Sequence, residues 1–222
     1  MTKKHIYLFP GLGAGPKIFE HISLPEESFE IHLLEWKIPL SVHEPLEDYA
    51  KRMCEEVKHK NPILLGVSFG GILVQEMNKI ISTEKIILIS SIKSSDEFPN
   101  RLKIIKTTKT YKLFPAKIAE NLDAYTKYFL GDFLKKRADL YKMYLSVRNA
   151  DYMKWAIHQV LHWQQEKAPK NILHIHGTDD HVFPIKYIKD CVSIENGTHT
   201  MILLKSKTIS QIISEHLVMG NG

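Results

Sequence analysis

Residues 62–81 read PILLGVSFGGILVQEMNKII. An apolar run, a serine between glycines and a second apolar run follow one another with hardly a polar break. The first run, 62–68, has the length and composition of a strand buried on both faces, and Phe69 to Ile81 reads as a helix. Between them Gly66-Val67-Ser68-Phe69-Gly70 spells G-x-S-x-G. That pattern has a mechanical reason. A sharp strand-to-helix turn puts the serine in a strained backbone conformation, and small residues two before and two after it avoid a clash where the chain crosses itself. The hydroxyl then stands above the C-terminal edge of a sheet, at a helix N-terminus that favours developing negative charge. G-x-S-x-G alone arises by chance in many chains. Its setting between strand and helix is what gives it weight.

Outward from this stretch, strand-like runs alternate with helical ones. Residues 5–9, 29–36, 62–68, 85–91, 171–177 and 191–197 read as six strands. Ser41 and Glu44 have the spacing of a capping box, and Leu46, Tyr49, Ala50, Met53 and Val57 form one helical stripe after it. Ile209, Ile212, Ile213 and Leu217 share a face of a last helix. The alternation predicts an α/β fold, a mainly parallel six-stranded sheet with helices on both faces. It is interrupted once. From about 96 to 167 no strand is expected, and helical stretches at 116–130 and 133–163 carry Lys, Leu and Tyr. This reads as a helical cap inserted after the fourth strand, in a core made of 1–95 and 168–222. Its aromatics (Tyr125, Phe129, Phe133, Tyr141, Tyr144, Trp155, Trp163) must be buried, within the cap or over a pocket.

With 222 residues, 44% hydrophobic and 25% charged, the chain suits one full-sized core. The net charge is +5, yet residues 99–165 hold thirteen Lys/Arg and five Asp/Glu, so this segment is at +8 and the remainder at −3. Turned inward, that basic surplus would favour an anionic substrate; turned outward, it is a solvated face. Cys54 and Cys191 form neither a disulfide framework nor a metal pattern and suit a reducing compartment. The opening MTKKHIYLFPG is too short for a signal-peptide core, and no apolar run approaches a membrane span. A cytoplasmic protein is expected.

Two other glycine- and histidine-rich stretches suggest ligands. LFPGLGAGPKIF, residues 8–19, invites comparison with a dinucleotide fingerprint, but Pro16 stands where the third glycine belongs and only Glu35 serves as a loose acidic partner. His174, His176, Asp179, Asp180 and His181 suggest a metal, but H-x-H-x-D-H is broken by two extra residues, and packed or hydrogen-bonded core histidines account for the pair on the strand. His158 and His162 lie at i, i+4 without a third ligand. No metal and no organic cofactor is expected. No nucleic-acid module is recognisable.

A serine hydroxyl needs a base to become a nucleophile, and the base needs an orienting carboxylate. The fifth strand is followed by HGTDDHVFP and the sixth by ENGTHTMIL, giving the order Ser, Asp, His with each residue just past a strand. On these motifs nearly the whole chain resembles an α/β-hydrolase, shortened by the two antiparallel strands that usually open the sheet. The resemblance implies the strand order 2-1-3-4-5-6, with a crevice between the first and third strands. It implies a triad of Ser68, Asp180 and His199. Asp180 follows Gly177 by three residues with Pro184 after it; Asp179 is the alternative, and Asp96 after the fourth strand a more distant one. His199 follows Gly197-Thr198, where the family more often has glycine next to histidine. The FPGLG turn then answers to an oxyanion hole, made by the backbone N–H of Leu12 and that of Phe69, with Gly11 and Gly13 allowing close approach. The implied activity is that of a serine hydrolase on a small carboxylic ester or thioester, through an acyl-enzyme. The alternatives are a lyase or C–C bond hydrolase using the same residues, or a non-catalytic receptor for a small ligand. The partner expected is a small acyl substrate, anionic if the basic cap faces inward.

Overall fold

Runs that are apolar on every residue need a packed layer on both sides, and each of them obtains one. The computed structural model describes residues 3–113, 143–147 and 149–219. Strands β1 (Lys4–Phe9), β2 (Phe29–Leu33), β3 (Ile63–Val67), β4 (Lys85–Ile89), β5 (Ile172–Gly177) and β6 (Val192–Ile194) form one sheet in the order β2-β1-β3-β4-β5-β6. Every pairing is parallel. Both the order and the helices on two faces are those expected. Along β1, Ile6 and Leu8 enter one apolar layer and Tyr7 and Phe9 the other; along β3, Ile63, Leu65 and Val67 oppose Leu64. The second and sixth strands are shorter than their apolar runs, because pairing ends at Leu33 and at Ile194.

Helices α1 (Leu46–Cys54), α2 (Phe69–Asn78) and α4 (Ala150–His162) cover one face, with α3 (Asn100–Thr108) packed on α4. The short α5 (Met201–Leu204) and the long α6 (Ser206–Met219) cover the other, where Ile209, Ile213 and Leu217 are buried as their spacing predicts. The capping box does not form. Glu44 precedes Pro45, and a residue before proline is driven out of the helical region, so α1 starts only at Leu46. The Glu44 carboxylate instead accepts from the Leu40 N–H and from Arg52, at 2.7 and 2.8 Å. The stripe of Leu46, Tyr49, Ala50 and Met53 is buried, while Val57 lies beyond the end of α1. Helix α2 stops at Asn78, short of Ile81, where the Lys79 N–H turns back to Glu76.

The predicted helix at 116–130 lies outside the described residues, as do Tyr125, Phe129, Phe133 and Tyr141. In the described part of the second stretch a helix runs Ala150–His162, with Asn149 Oδ1 accepting the Tyr152 N–H at 2.9 Å as its cap. Residues 143–147 are not helical. Leu145 makes an isolated antiparallel bridge to Ala14, and the Ser146 and Val147 N–H groups both donate to the Gly13 carbonyl. Helix α4 shares the apolar layer of α1 and α2. Trp155 is fully buried, its ring 4.4 Å from that of Tyr49, and its indole N–H donates to the Glu44 carbonyl at 2.8 Å.

Replacing Trp155 by alanine is therefore expected to lower unfolding stability by about 3–5 kcal/mol. Urea unfolding followed by far-UV circular dichroism should show this as one cooperative transition. An early separate loss of helix would mean that 150–162 folds apart from the sheet.

Candidate active site

The strand-to-helix turn after β3 has the strain its sequence requires. Ser68 sits at φ 52°, ψ −116°, a region side chains rarely occupy. A Cβ on Gly66 would lie 2.3 Å from the Gly70 carbonyl oxygen, and one on Gly70 would lie 2.4 Å from that of Pro10. No larger residue fits at either point. The serine backbone is pinned on both sides: its N–H donates to the Ile89 carbonyl, and its carbonyl accepts from the Gly71 N–H and the Ser91 hydroxyl. Its side chain does not cap α2 and is left to point elsewhere.

It meets His199. The Ser68 Oγ to His199 Nε2 distance is 3.0 Å, and His199 Nδ1 lies 2.9 Å from Asp180 Oδ2. The residue between β5 and the histidine loop that reaches His199 is Asp180; Asp179 is exposed and takes a bond from Thr178. Asp96 is exposed, 3.7 Å from Lys189. The ends of β5 and β6 are laced together, Thr178 N–H to Ile194 and Asp179 N–H to Gly197, which fixes the two loops relative to each other. Asp180 Oδ1 accepts from the backbone N–H groups of Val182 and Phe183 at 2.7 and 2.8 Å. Burial opposes its ionisation, but the His199 charge and hydrogen bond, His176 and the Phe183 N–H outweigh it and hold the carboxyl below its ordinary value. With Asp180 ionised, His199 carries its proton on Nδ1 and offers Nε2 to the serine hydroxyl.

The FPGLG turn lies beside Ser68. A cavity of about 240 Å³ is lined by Gly11, Leu12, Ser68, Phe69 and His199 together with apolar side chains of α3, α4 and α5. Gly13 is held at φ 72°, which explains that glycine; a Cβ on Gly11 would meet Ser68 only at an ordinary 3.6 Å, so close approach does not explain the other. Pro16 opens a short 3₁₀ turn and Glu35 is exposed, an arrangement unlike a dinucleotide cradle. What fixes this turn leaves no mark in the sequence around it. The Trp36 indole N–H donates to the Gly11 carbonyl at 2.9 Å, and the Gly13 N–H donates to the Tyr152 hydroxyl at 3.3 Å. Trp36 in turn stacks on Phe69 at 4.9 Å. No local signal marks these partners, because they come from a loop after β2 and from α4.

His174 and His176 are buried and hydrogen-bonded. His174 Nε2 donates to the Ser91 carbonyl at 3.1 Å, and His176 Nε2 to that of Phe183 at 2.8 Å, with Asp180 Oδ2 3.4 Å away. Lys93, paired with the buried Glu97 at 3.2 Å, reaches His174 Nδ1 at 3.5 Å. His181 is exposed, and His158 and His162 stack on each other at 4.1 Å.

No protein-family model matches the sequence, and no curated protein is significantly similar to it. Solved structures are similar over nearly the whole chain. A bromoperoxidase from Bacillus anthracis is 17% identical with a TM-score of 0.68, over 97% of this chain and 92% of that one. A structure from work on carboxylesterases of the thaumarchaeon Nitrososphaera gargenis is 17% identical with a TM-score of 0.69, over 98% and 90%. The enol-lactonase from Burkholderia xenovorans is 12% identical with a TM-score of 0.68, over 98% and 92%. The chain has the α/β-hydrolase fold.

The buried imidazoles set a pH dependence of stability. Burial, reinforced by His176 and Lys93, pushes His174 down to about 3 from 6.5, and burial also lowers His176. Between those values the unfolded chain binds a proton that the folded chain refuses, so stability falls as pH drops below about 6.5. The expected slope is up to about 1.4 kcal/mol per pH unit for each such group. His174→Gln, whose amide can still donate to Ser91, should flatten it by close to one proton, read from urea midpoints at several pH values.

Proposed function

We propose that the protein is a serine hydrolase that cleaves an ester or thioester of a small, largely apolar acyl group. The hydrogen-bonded series Asp180–His199–Ser68, ending on a strained serine at the mouth of an apolar cavity, is the observation that carries this reading. Ser68 Oγ attacks the substrate carbonyl as its proton passes to His199 Nε2. Asp180 keeps the imidazole in its tautomer and stabilises its charged form. The backbone N–H groups of Leu12 and Phe69 receive the oxyanion, a contribution of about 3 kcal/mol per donor in such sites. Collapse expels the alcohol or thiol with the proton from His199. Water then gives a proton to His199 and attacks the acyl carbon, and the proton returns to Ser68 as the acid leaves. No metal or organic cofactor enters these steps.

The lining supports an apolar acyl group over an anionic one. Leu102, Ile105, Ile157, Val160 and Leu161 face the cavity. Arg101 also lines it, but its guanidinium donates to the carbonyls of His181 and Val182. Lys103, Lys109 and Lys154 are exposed, which supports the solvated-face reading for these members of the basic segment. Residues 96–167 act, on this reading, as the cap that shapes the acyl pocket. The neighbours that are esterases and an enol-lactonase agree with acyl chemistry on this fold. No helix among the described residues is long and apolar enough to cross a membrane, and with two free cysteines we take the cytoplasm as the place of action.

Wild-type protein is expected to hydrolyse short p-nitrophenyl esters and to react with a fluorophosphonate probe at Ser68. Ser68→Ala should lose both, with kcat down by about 10⁴-fold or more, and Asp180→Asn should lose about 10³–10⁴-fold. Probe labelling without turnover of any ester would favour the lyase or C–C hydrolase alternative. Absence of labelling in a folded protein would favour the receptor.

A further inference from the structure

The parallel register of β1 and β2 sets His5 opposite Glu30 and Tyr7 opposite His32. These four residues share one face of the sheet, since alternate residues of paired strands do. The connection from α1 to β3 brings a fifth residue over them, His59. Its ring stacks on that of His5 at 3.4 Å, and its Nδ1 lies 2.7 Å from the Tyr7 hydroxyl. His5 Nδ1 is 3.0 Å from His32 Nε2. One ring nitrogen from each of His5, His32 and His59 lies within 4.8 Å of the others. The Glu30 carboxylate reaches both of the first two, Oε2 at 3.7 Å from His5 Nδ1 and Oε1 at 3.6 Å from His32 Nε2.

We propose that His5, His32 and His59, with Glu30 as fourth ligand, bind a divalent transition-metal ion of the zinc type. Tetrahedral zinc with bonds of about 2.0–2.1 Å places its ligand atoms about 3.3 Å apart. The His5–His32 nitrogen–nitrogen distance and both carboxylate distances fall on either side of that value, while the His59 nitrogen lies within 4.8 Å of the other two. A ring nitrogen's lone pair lies in the ring plane, so closing the shell requires one of the parallel, stacked rings of His5 and His59 to turn towards the ion. The donor set of three imidazoles and one carboxylate suits zinc, nickel, copper or cobalt and is poor for magnesium or calcium. All three imidazoles are half-buried, which gives an ion a way in. The Tyr7 hydroxyl also accepts the Lys58 N–H at 3.0 Å, so the His59 ring is held by a fixed neighbour. The site belongs to the N-terminal half of β1, while Ser68 follows the C-terminal end of β3. Its ion would fasten β1, β2 and the segment before β3 to one another, and the ester chemistry proposed above does not depend on it.

The test uses the full chain without an affinity tag, stripped with a chelator. Calorimetric titration with zinc chloride at pH 7.5 should show one ion per chain with Kd of about 1 μM or tighter, and magnesium at least about 100-fold weaker. Zinc should raise the thermal midpoint. His5→Gln and His59→Gln should each weaken zinc by about tenfold or more. His158→Gln, which alters the other histidine pair, should leave binding unchanged, and p-nitrophenyl ester turnover should survive in all three variants. No binding tighter than about 100 μM, unchanged binding in both His5 and His59 variants, or loss confined to His158→Gln would overturn the site. If the variants do not fold, cobalt bound to the wild-type chain decides. Four-coordinate cobalt at these ligands gives strong visible absorption, and its absence at one equivalent would equally overturn the proposal.

Discussion

The crossing of backbone at Gly66 and Gly70 governs the rest of the site. Gly70 lies against the end of β1 and Gly66 against the first turn of α2, both closer than any Cβ allows. This contact brings the first strand, the third strand and the helix to one point, and it forces the residue between the glycines to positive φ. A serine held there cannot lend its hydroxyl to its own helix as a cap. The hydroxyl is displayed to whatever the ends of β5 and β6 deliver, and they deliver an imidazole already anchored to a buried carboxylate. The strain of Ser68 is sustained because its neighbours over-determine it: Ile89 takes its N–H, and Ser91 and Gly71 both donate to its carbonyl.

A second layer of constraint comes from aromatic side chains. Trp36, Phe69, Tyr152 and Trp155 form one packed group, and two of them hold the Gly11–Gly13 turn by hydrogen bonds. The turn takes its shape from Gly13 and its own Ala14 N–H to Gly11 bond, and its position from the core. It also accounts for the place of α4. A helix that donates Trp155 to the centre of this group and Tyr152 to the turn is part of the scaffold beneath the cavity as well as part of its wall.

The parallel sheet was legible because runs such as ILLGV and KIILI are apolar on both faces, which only a covered strand tolerates. Helix stripes were legible for the same reason at another period. What failed was local. The Ser41–Glu44 spacing suggests a cap, but Pro45 forbids helix at Glu44, and the carboxylate serves Arg52 instead. The meeting of Ser68, Asp180 and His199 was legible because each sits in a short motif whose strand context is readable; the chemistry assigned to them is our proposal. Trp36, Tyr152 and the buried string of Glu97, Lys93, His174 and His176 were not legible as partners of the site. The links that tie them together, Trp36 to Gly11, Tyr152 to Gly13 and Lys93 to His174, cross the chain by tens of residues and leave no periodic trace. His5, His32 and His59 are of the same kind: the register of β1 against β2 makes neighbours of the first two, and the connection from α1 to β3 brings the third over them.

The strand order has a consequence for how reactivity arises. The serine elbow is complete once β1, β3, β4 and α2 have come together, within the first hundred residues. The carboxylate and the imidazole arrive only with β5 and β6, near the end of the chain. The serine and the partners that our proposal assigns to it thus lie in widely separated parts of the chain, and a chain cut before β5 keeps the hydroxyl without the carboxylate or the imidazole. Bringing them together requires parallel strands to close across long sequence separations, which is slow, so the full constellation depends on the most distant contacts of the sheet.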